Sequence, residues 1–139
     1  MIHETFTLNK KRNVTLSCYR LDSSEELKNA AVRPAILILP GGGYRMCSDR
    51  EAEPIAMAYL AEGYHTFVLR YSVGEYSTWP NPINDAEQAL GMIRDNAADW
   101  EVDPERVAVI GFSAGGHLAG ALGILGKDRP NAMLLDYPV

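Results

Sequence analysis

Two short stretches of this chain are apolar without interruption: Ala35-Ile36-Leu37-Ile38-Leu39 and Val107-Ala108-Val109-Ile110. His65 to Leu69 is nearly so. A strand with one wet face alternates polar and apolar, so an unbroken run predicts a strand covered on both faces. Helical periods lie between these runs. From Arg50 to Glu62, Ile55, Ala58, Tyr59 and Glu62 fall on helical spacing, and Gly63 stands in the stop position. Ile83, Ala86, Leu90, Ile93, Ala97 and Trp100 form one longer stripe, read as a single helix. Leu118, Ala121, Leu122 and Leu125 mark the inner face of a third helix, stopped by Gly126 to Pro130. Ala132 to Tyr137 reads as one more strand.

At the front, Thr5 to Leu8 and Val14 to Tyr19 alternate on either side of the polar turn Asn9 to Asn13 and predict an antiparallel hairpin. Ser23 to Arg33 and Gly74 to Asn81 read as loops, and Asp103 to Arg106 as a turn. Strands alternating with helices imply βαβ crossovers. The expected fold is therefore α/β: a mostly parallel sheet with helices on both faces and the hairpin as its antiparallel edge.

Two motifs carry chemistry. Val107 to Ile110 runs into Gly111-Phe112-Ser113-Ala114-Gly115, and a helix follows. Gly-x-Ser-x-Gly by itself is weak, but between a strand and a helix it is the nucleophile elbow. The turn is sharp, the serine is strained, and a Cβ at the flanking glycines would strike a neighbouring element. The helix N-terminus points its positive dipole end at any anion formed beside Ser113 Oγ. The second motif, Pro40-Gly41-Gly42-Gly43-Tyr44, also follows a buried strand and so lies at the same sheet edge. Its bland readings are a flexible connector or a phosphate loop. The lysine and Ser/Thr of a phosphate loop are absent. With the elbow beside it, it reads as an oxyanion loop, with the N–H groups of Gly42, Gly43 and Ala114 as donors.

These residues are similar to a known family. Pro40 to Tyr44, Ser48-Asp49-Arg50-Glu51, Leu69-Arg70-Tyr71-Ser72, Asp103-Pro104-x-Arg106, Gly111 to Ala119 and Tyr137-Pro138-Val139, in that order, resemble the α/β-hydrolase carbohydrate-esterase group, which includes acetyl-xylan-esterase-like proteins. The likeness runs from Val14 onward. It implies an α/β-hydrolase fold, a serine esterase of short acyl groups such as sugar acetates, Ser113 as nucleophile, and Gly42, Gly43 and Ala114 at the oxyanion. Pro40 stands where the related HGGG lipases carry histidine.

A serine nucleophile needs a base, and the base an orienting carboxylate. In this fold the acid and then the histidine follow the serine. Beyond Ser113 the chain offers only His117, Asp128 and Asp136. His117 lies one helical turn on, about 6 Å along the axis, and is read as helix packing. His65 opens its strand and so belongs at the opposite edge, and His3 is near the terminus. The expectation is the N-terminal portion of a single α/β-hydrolase domain, residues 1–139, truncated after about the sixth strand. Tyr44 could stack on a sugar, wall the acyl pocket or simply pack. Trp79 could line the cleft. Cys47 reads as a structural thiol. Arg50 and Glu51 could pair with each other or with the glycine loop, or be solvated surface.

Bulk properties narrow the partners. Net charge is −5 and no basic cluster occurs, which argues against nucleic acid. No run approaches a membrane span and none has signal-peptide form, so the expectation is a soluble cytoplasmic protein. Cys18 and Cys47 are far apart and form no metal or redox motif. No cofactor and no metal is expected; the expected partner is a small acylated carbohydrate or other short acyl ester. Two alternatives stand beside the esterase. One is a prolyl-oligopeptidase-like serine peptidase, whose usual propeller domain has no counterpart here. The other is a catalytically incomplete hydrolase fold serving as a binding or assembly module. If Met133-Leu134-Leu135 is an edge strand, self-association through it is a further expectation.

Overall fold

In the computed structural model, which describes residues 1–139, the chain opens as a hairpin of β1 (Ile2–Asn9) and β2 (Val14–Arg20). Asn13 closes the turn with φ of 55°, a region that asparagine enters more readily than most residues. The hairpin is followed by β3 (Arg33–Leu39), α1 (Glu53–Ala61), β4 (His65–Arg70) and α2 (Asn81–Asp95). Then come α3 (Ala97–Trp100), β5 (Val102–Phe112), α4 (Ala114–Leu125) and β6 (Ala132–Asp136). One sheet holds all six strands in the order β1-β2-β4-β3-β5-β6. β3 runs parallel to β4 and β5, and β5 parallel to β6, while β2 is antiparallel to both β1 and β4.

The unbroken apolar run in β3 has the predicted cause. Successive side chains of a strand point to opposite faces. Ala35, Leu37 and Leu39 enter one core cluster with Ala86, Leu90 and Ile93 of α2 and Leu118 and Leu122 of α4. Ile36 and Ile38 enter the other, with Ala56 and Leu60 of α1. Helices thus cover both faces, as expected of βαβ crossovers. Each leucine or isoleucine so buried contributes about 1.5–3 kcal/mol.

Local departures from the periodicity have local causes. The stripe from Ile83 to Trp100 is not one helix: it breaks at Asn96, whose Nδ2 donates to the Met92 carbonyl at 2.8 Å. α3 still presents Ala97 and Trp100 to the same core, which is why the stripe looked continuous. The helix expected from Arg50 is interrupted too. A 3-10 turn, Asp49–Glu51, ends at Ala52 (φ −107°, ψ −100°), and α1 begins anew with Pro54 in its first turn. The polar stretch after the hairpin contains a 3-10 segment, Glu25–Ala30, capped by Ser24. Residues 103–106 open β5 irregularly: two steps along β3, Arg33 to Ala35, match five along β5, Val102 to Val107.

A polar network pins the hairpin to the helical layer. Arg12, from the hairpin turn, donates to Asp85 Oδ1 of α2 at 2.7 Å and to Ser72 Oγ at 2.8 Å. The Ser72 N–H and hydroxyl both donate to Asp85 Oδ2. Both cysteines are free thiols, and burial pushes Cys18 up to about 12 and Cys47 up to about 11. No helix is long and apolar enough to cross a membrane.

Candidate active site

β5 hands the chain to α4 through a single residue. Ser113 takes φ 53° and ψ −115°, a conformation rare for any residue with a Cβ. Strain of this kind stands at about 1–3 kcal/mol and persists only where neighbours enforce it. Here the enforcement is visible. The Ser113 N–H donates to the Asp136 carbonyl at 3.0 Å, and the Ser113 carbonyl accepts the His117 N–H at 3.0 Å. The flanking glycines are a matter of space. A Cβ on Gly111 would strike the Gly115 carbonyl, and a Cβ on Gly115 would strike the Leu39 carbonyl. Beside Gly116 the Pro138 Cβ would be only 3.0 Å away.

The pairing of Leu39 with Gly111 fixes where the glycine loop begins. A Cβ on Gly41 would sit 2.7 Å from the Phe112 carbonyl and 3.2 Å from the Ser113 Cβ, so loop and elbow are in contact. The next three residues are all in left-handed space: Gly42 at φ 143°, Gly43 at 64° and Tyr44 at 61°. Two carbonyls of the loop are occupied from behind. Ser48 N–H donates to Gly41 at 2.8 Å, and Arg45 and Met46 donate to Gly42 at 3.0 and 3.3 Å. The Gly41 N–H is held by Glu51 Oε1 at 3.0 Å. The N–H groups of Gly42 and Gly43 donate to no protein acceptor. Neither does that of Ala114, which as the first residue of α4 lacks an intrahelical partner.

Tyr44 closes the loop. Its hydroxyl and His117 Nδ1 are 2.7 Å apart, its ring meets those of Tyr71 and His117 edge-on, and its carbonyl accepts the Gly74 N–H at 2.8 Å. Burial pushes its phenol up to about 12. Tyr71 in turn donates its hydroxyl to the Pro40 carbonyl, and burial raises its phenol further. His117 is thus neither mere helix packing nor a partner of the serine hydroxyl. It is exposed, and it reaches back to the loop. It stands one turn into α4, where its backbone N–H already bonds the Ser113 carbonyl.

The other candidates make no contact with the Tyr44–His117 pair. Trp79 sits on the loop before α2, 48% exposed, and stacks on none of the site's rings. His65 is buried at the opposite edge, where Nδ1 accepts the Leu21 N–H and burial pushes the imidazole down to about 4. His3 stacks on Tyr19. No histidine hydrogen-bonds Ser113 Oγ. Asp128 pairs with Arg94. No cluster of three metal-ligating side chains occurs.

Residues 21–136 match the BD-FAE family. An acetylxylan esterase from Xylanibacter ruminicola is 37% identical over 108 residues, which is 76% of this chain and 22% of that protein. Among solved structures, MGS-M1, an α/β-hydrolase enzyme from a Medee basin deep-sea metagenome library, superposes with a TM-score of 0.98 at 56% identity, over all of this chain and 57% of its own. An acetyl ester-xyloside bifunctional hydrolase from Caldicellulosiruptor lactoaceticus gives 0.82 at 35% identity, over 91% of this chain and 49% of its own. The chain therefore spans about half the length of these solved hydrolases. An elbow serine on a mostly parallel sheet and a match over most of the sequence lead to one conclusion: this chain belongs to the BD-FAE family, of the α/β-hydrolase type.

Proposed function

We propose that the chain is the N-terminal portion of a single α/β-hydrolase domain whose activity is serine ester hydrolysis, removing short acyl groups from carbohydrate. The observation that carries this reading is the set of three N–H groups without protein acceptors, Ala114 at the first residue of α4 and Gly42 and Gly43 in the loop whose Gly41 meets the elbow. A preorganised donor set of this kind serves an oxygen that becomes negative, and each donor is worth about 3–4 kcal/mol of barrier.

The chemistry follows from the geometry. Ser113 Oγ attacks the ester carbonyl carbon and gives up its proton to a base. The carbonyl π pair moves to oxygen, which the three N–H groups receive. Collapse of the tetrahedral adduct expels the sugar alcohol, which regains a proton, and leaves an acyl-serine. Water attacks that ester and releases the short acid. The base, a histidine, and its carboxylate are assigned to a protein of the length of the solved relatives. Acetyl is the favoured acyl group because the similar proteins named for their substrates are an acetylxylan esterase and an acetyl ester-xyloside hydrolase.

A second reading has its own observation. His117, the histidine that follows Ser113 in sequence, is bonded to Tyr44, and we hold a binding or assembly role beside the esterase reading. Turnover separates the readings. A protein of relative-like length containing this chain should hydrolyse acetylated xylo-oligosaccharides and 4-nitrophenyl acetate, and leave aminoacyl amides intact. Amide turnover above ester turnover would favour a peptidase, and no turnover of either would favour the binding module.

A further inference from the structure

The glycine loop is held at both ends by side chains that the chemistry above does not use. At its start, Glu51 Oε1 accepts the Gly41 N–H at 3.0 Å. At its end, the Tyr44 hydroxyl bonds His117 Nδ1 at 2.7 Å. Between these ties lie Gly42 and Gly43, with left-handed backbones and with N–H groups that no protein atom anchors. Three successive left-handed residues form no regular ladder, and such a segment keeps its conformation only when its surroundings impose it. Glycine also has the most backbone freedom to lose.

We propose that Glu51 and His117 are positioning residues: they clamp the Gly41–Tyr44 loop from its two ends and so keep the Gly42 and Gly43 N–H groups aimed beside Ser113. The two clamps differ in origin. Glu51 ends the 3-10 turn ahead of α1 and is half-buried against the sheet edge. Its carboxylate holds the Gly41 N–H, while those of Gly42, Gly43 and Tyr44 after it meet no protein acceptor. His117 stands on α4, the helix that Ser113 precedes as N-cap, and its backbone N–H already bonds the Ser113 carbonyl. Its side chain therefore ties the loop to the helix that Ser113 caps, so donors and nucleophile share one frame. The Tyr44 ring, edge-on to Tyr71, sets the reach of that tie. Neither residue touches the reacting ester, and both act through the backbone amides.

This inference rests on the esterase reading, and the test separates the two failures. In a protein of relative-like length, kcat and KM for 4-nitrophenyl acetate are measured together with fluorophosphonate labelling of Ser113. Glu51→Ala, His117→Ala and Tyr44→Phe should each lower kcat about 10- to 100-fold with KM changed less than about threefold, because transition-state donors are misplaced while ground-state binding survives. Glu51→Gln keeps an acceptor oxygen and should restore most of the rate. Because His117→Ala and Tyr44→Phe remove the same hydrogen bond, the double variant should be no slower than the slower single. Exposed His117 tolerates truncation, so its variant reports on the loop even if Glu51→Ala folds poorly. Unchanged kcat in His117→Ala and Tyr44→Phe, with Ser113 still labelled, overturns the clamp. Absence of Ser113 labelling in the unmutated protein overturns the esterase reading instead.

Discussion

Gly115 of α4 lies so close to Leu39, the last residue of β3, that a Cβ on the glycine would strike the leucine carbonyl. The contact brings the elbow helix against the strand that launches the glycine loop. Gly115→Ala should therefore destabilise the fold by about 1–3 kcal/mol through overpacking. Urea unfolding measures it. The neighbouring Gly120, where a Cβ would meet only Leu135 Cδ1 at an ordinary 3.7 Å, is the control: Gly120→Ala should be neutral or stabilising. Equal effects at the two positions would contradict the packing.

How much of this was legible without coordinates depended on the range of the interaction. β3, β4 and the core of β5 were readable because burial on both faces leaves an unbroken apolar run. The elbow was readable because its glycines answer local steric demands at Gly111 and Gly115. The break at Asn96 was not, since α3 keeps the same buried face after the kink. The opening of β5 was not, because Asp103-Pro104-Glu105 has the composition of a turn while its backbone stays with β3. The tie from Tyr44 to His117 spans 73 positions of sequence and depends on a left-handed tyrosine, which no local pattern announces. Glu51 was half legible: pairing with Arg50 and pairing with the loop were both open, and the loop has it.

The buried imidazole of His65 makes stability depend on pH. It titrates near 4 in the folded chain against an ordinary 6.5. Between those values the unfolded chain takes up a proton that the folded chain refuses. The contribution is full above pH 6.5 and is lost as pH falls toward 4, by up to about 1.4 kcal/mol per pH unit. Urea midpoints should therefore drop between pH 7 and pH 4.5, and His65→Gln should flatten part of that slope. Parallel slopes for the two proteins would show that His65 titrates alike in both states.

β6 bears on the behaviour of the 139-residue polypeptide. It lies at the sheet edge, with Met133, Leu134 and Leu135 at 43, 40 and 44% exposure. A Cβ on Gly123 would meet the Met133 side chain and one on Gly120 the Leu135 side chain, so Leu134 alternates onto the face away from α4. An apolar edge with open backbone groups is a template for another strand. Light scattering on the purified 139-residue chain should show association that rises with concentration, and Leu134→Lys should reduce it. A chain that stays monomeric at high concentration would contradict this reading of the edge.

Gly42 and Gly43 separate two ways of disturbing the glycine loop proposed to hold the donors. A Cβ on Gly42 would collide with the Met46 carbonyl, whereas one on Gly43 meets open space but sits at φ 64°. In a protein of relative-like length, Gly42→Val should cut ester turnover about 100-fold or more, because it both blocks and rotates a donor. Gly43→Val should do so through backbone strain alone, and Gly43→Asn, which tolerates that region, should recover part of the loss. Unchanged turnover in Gly42→Val would assign the loop another task.

Covalent labelling shows whether Ser113 is the nucleophile. A protein of relative-like length is treated with a fluorophosphonate and digested, and the modified residue is located by mass spectrometry. One phosphonylated site, Ser113, is expected, with labelling and acetyl-ester turnover lost together in Ser113→Ala. Labelling that survives that substitution, or turnover that persists without Ser113, would contradict that role.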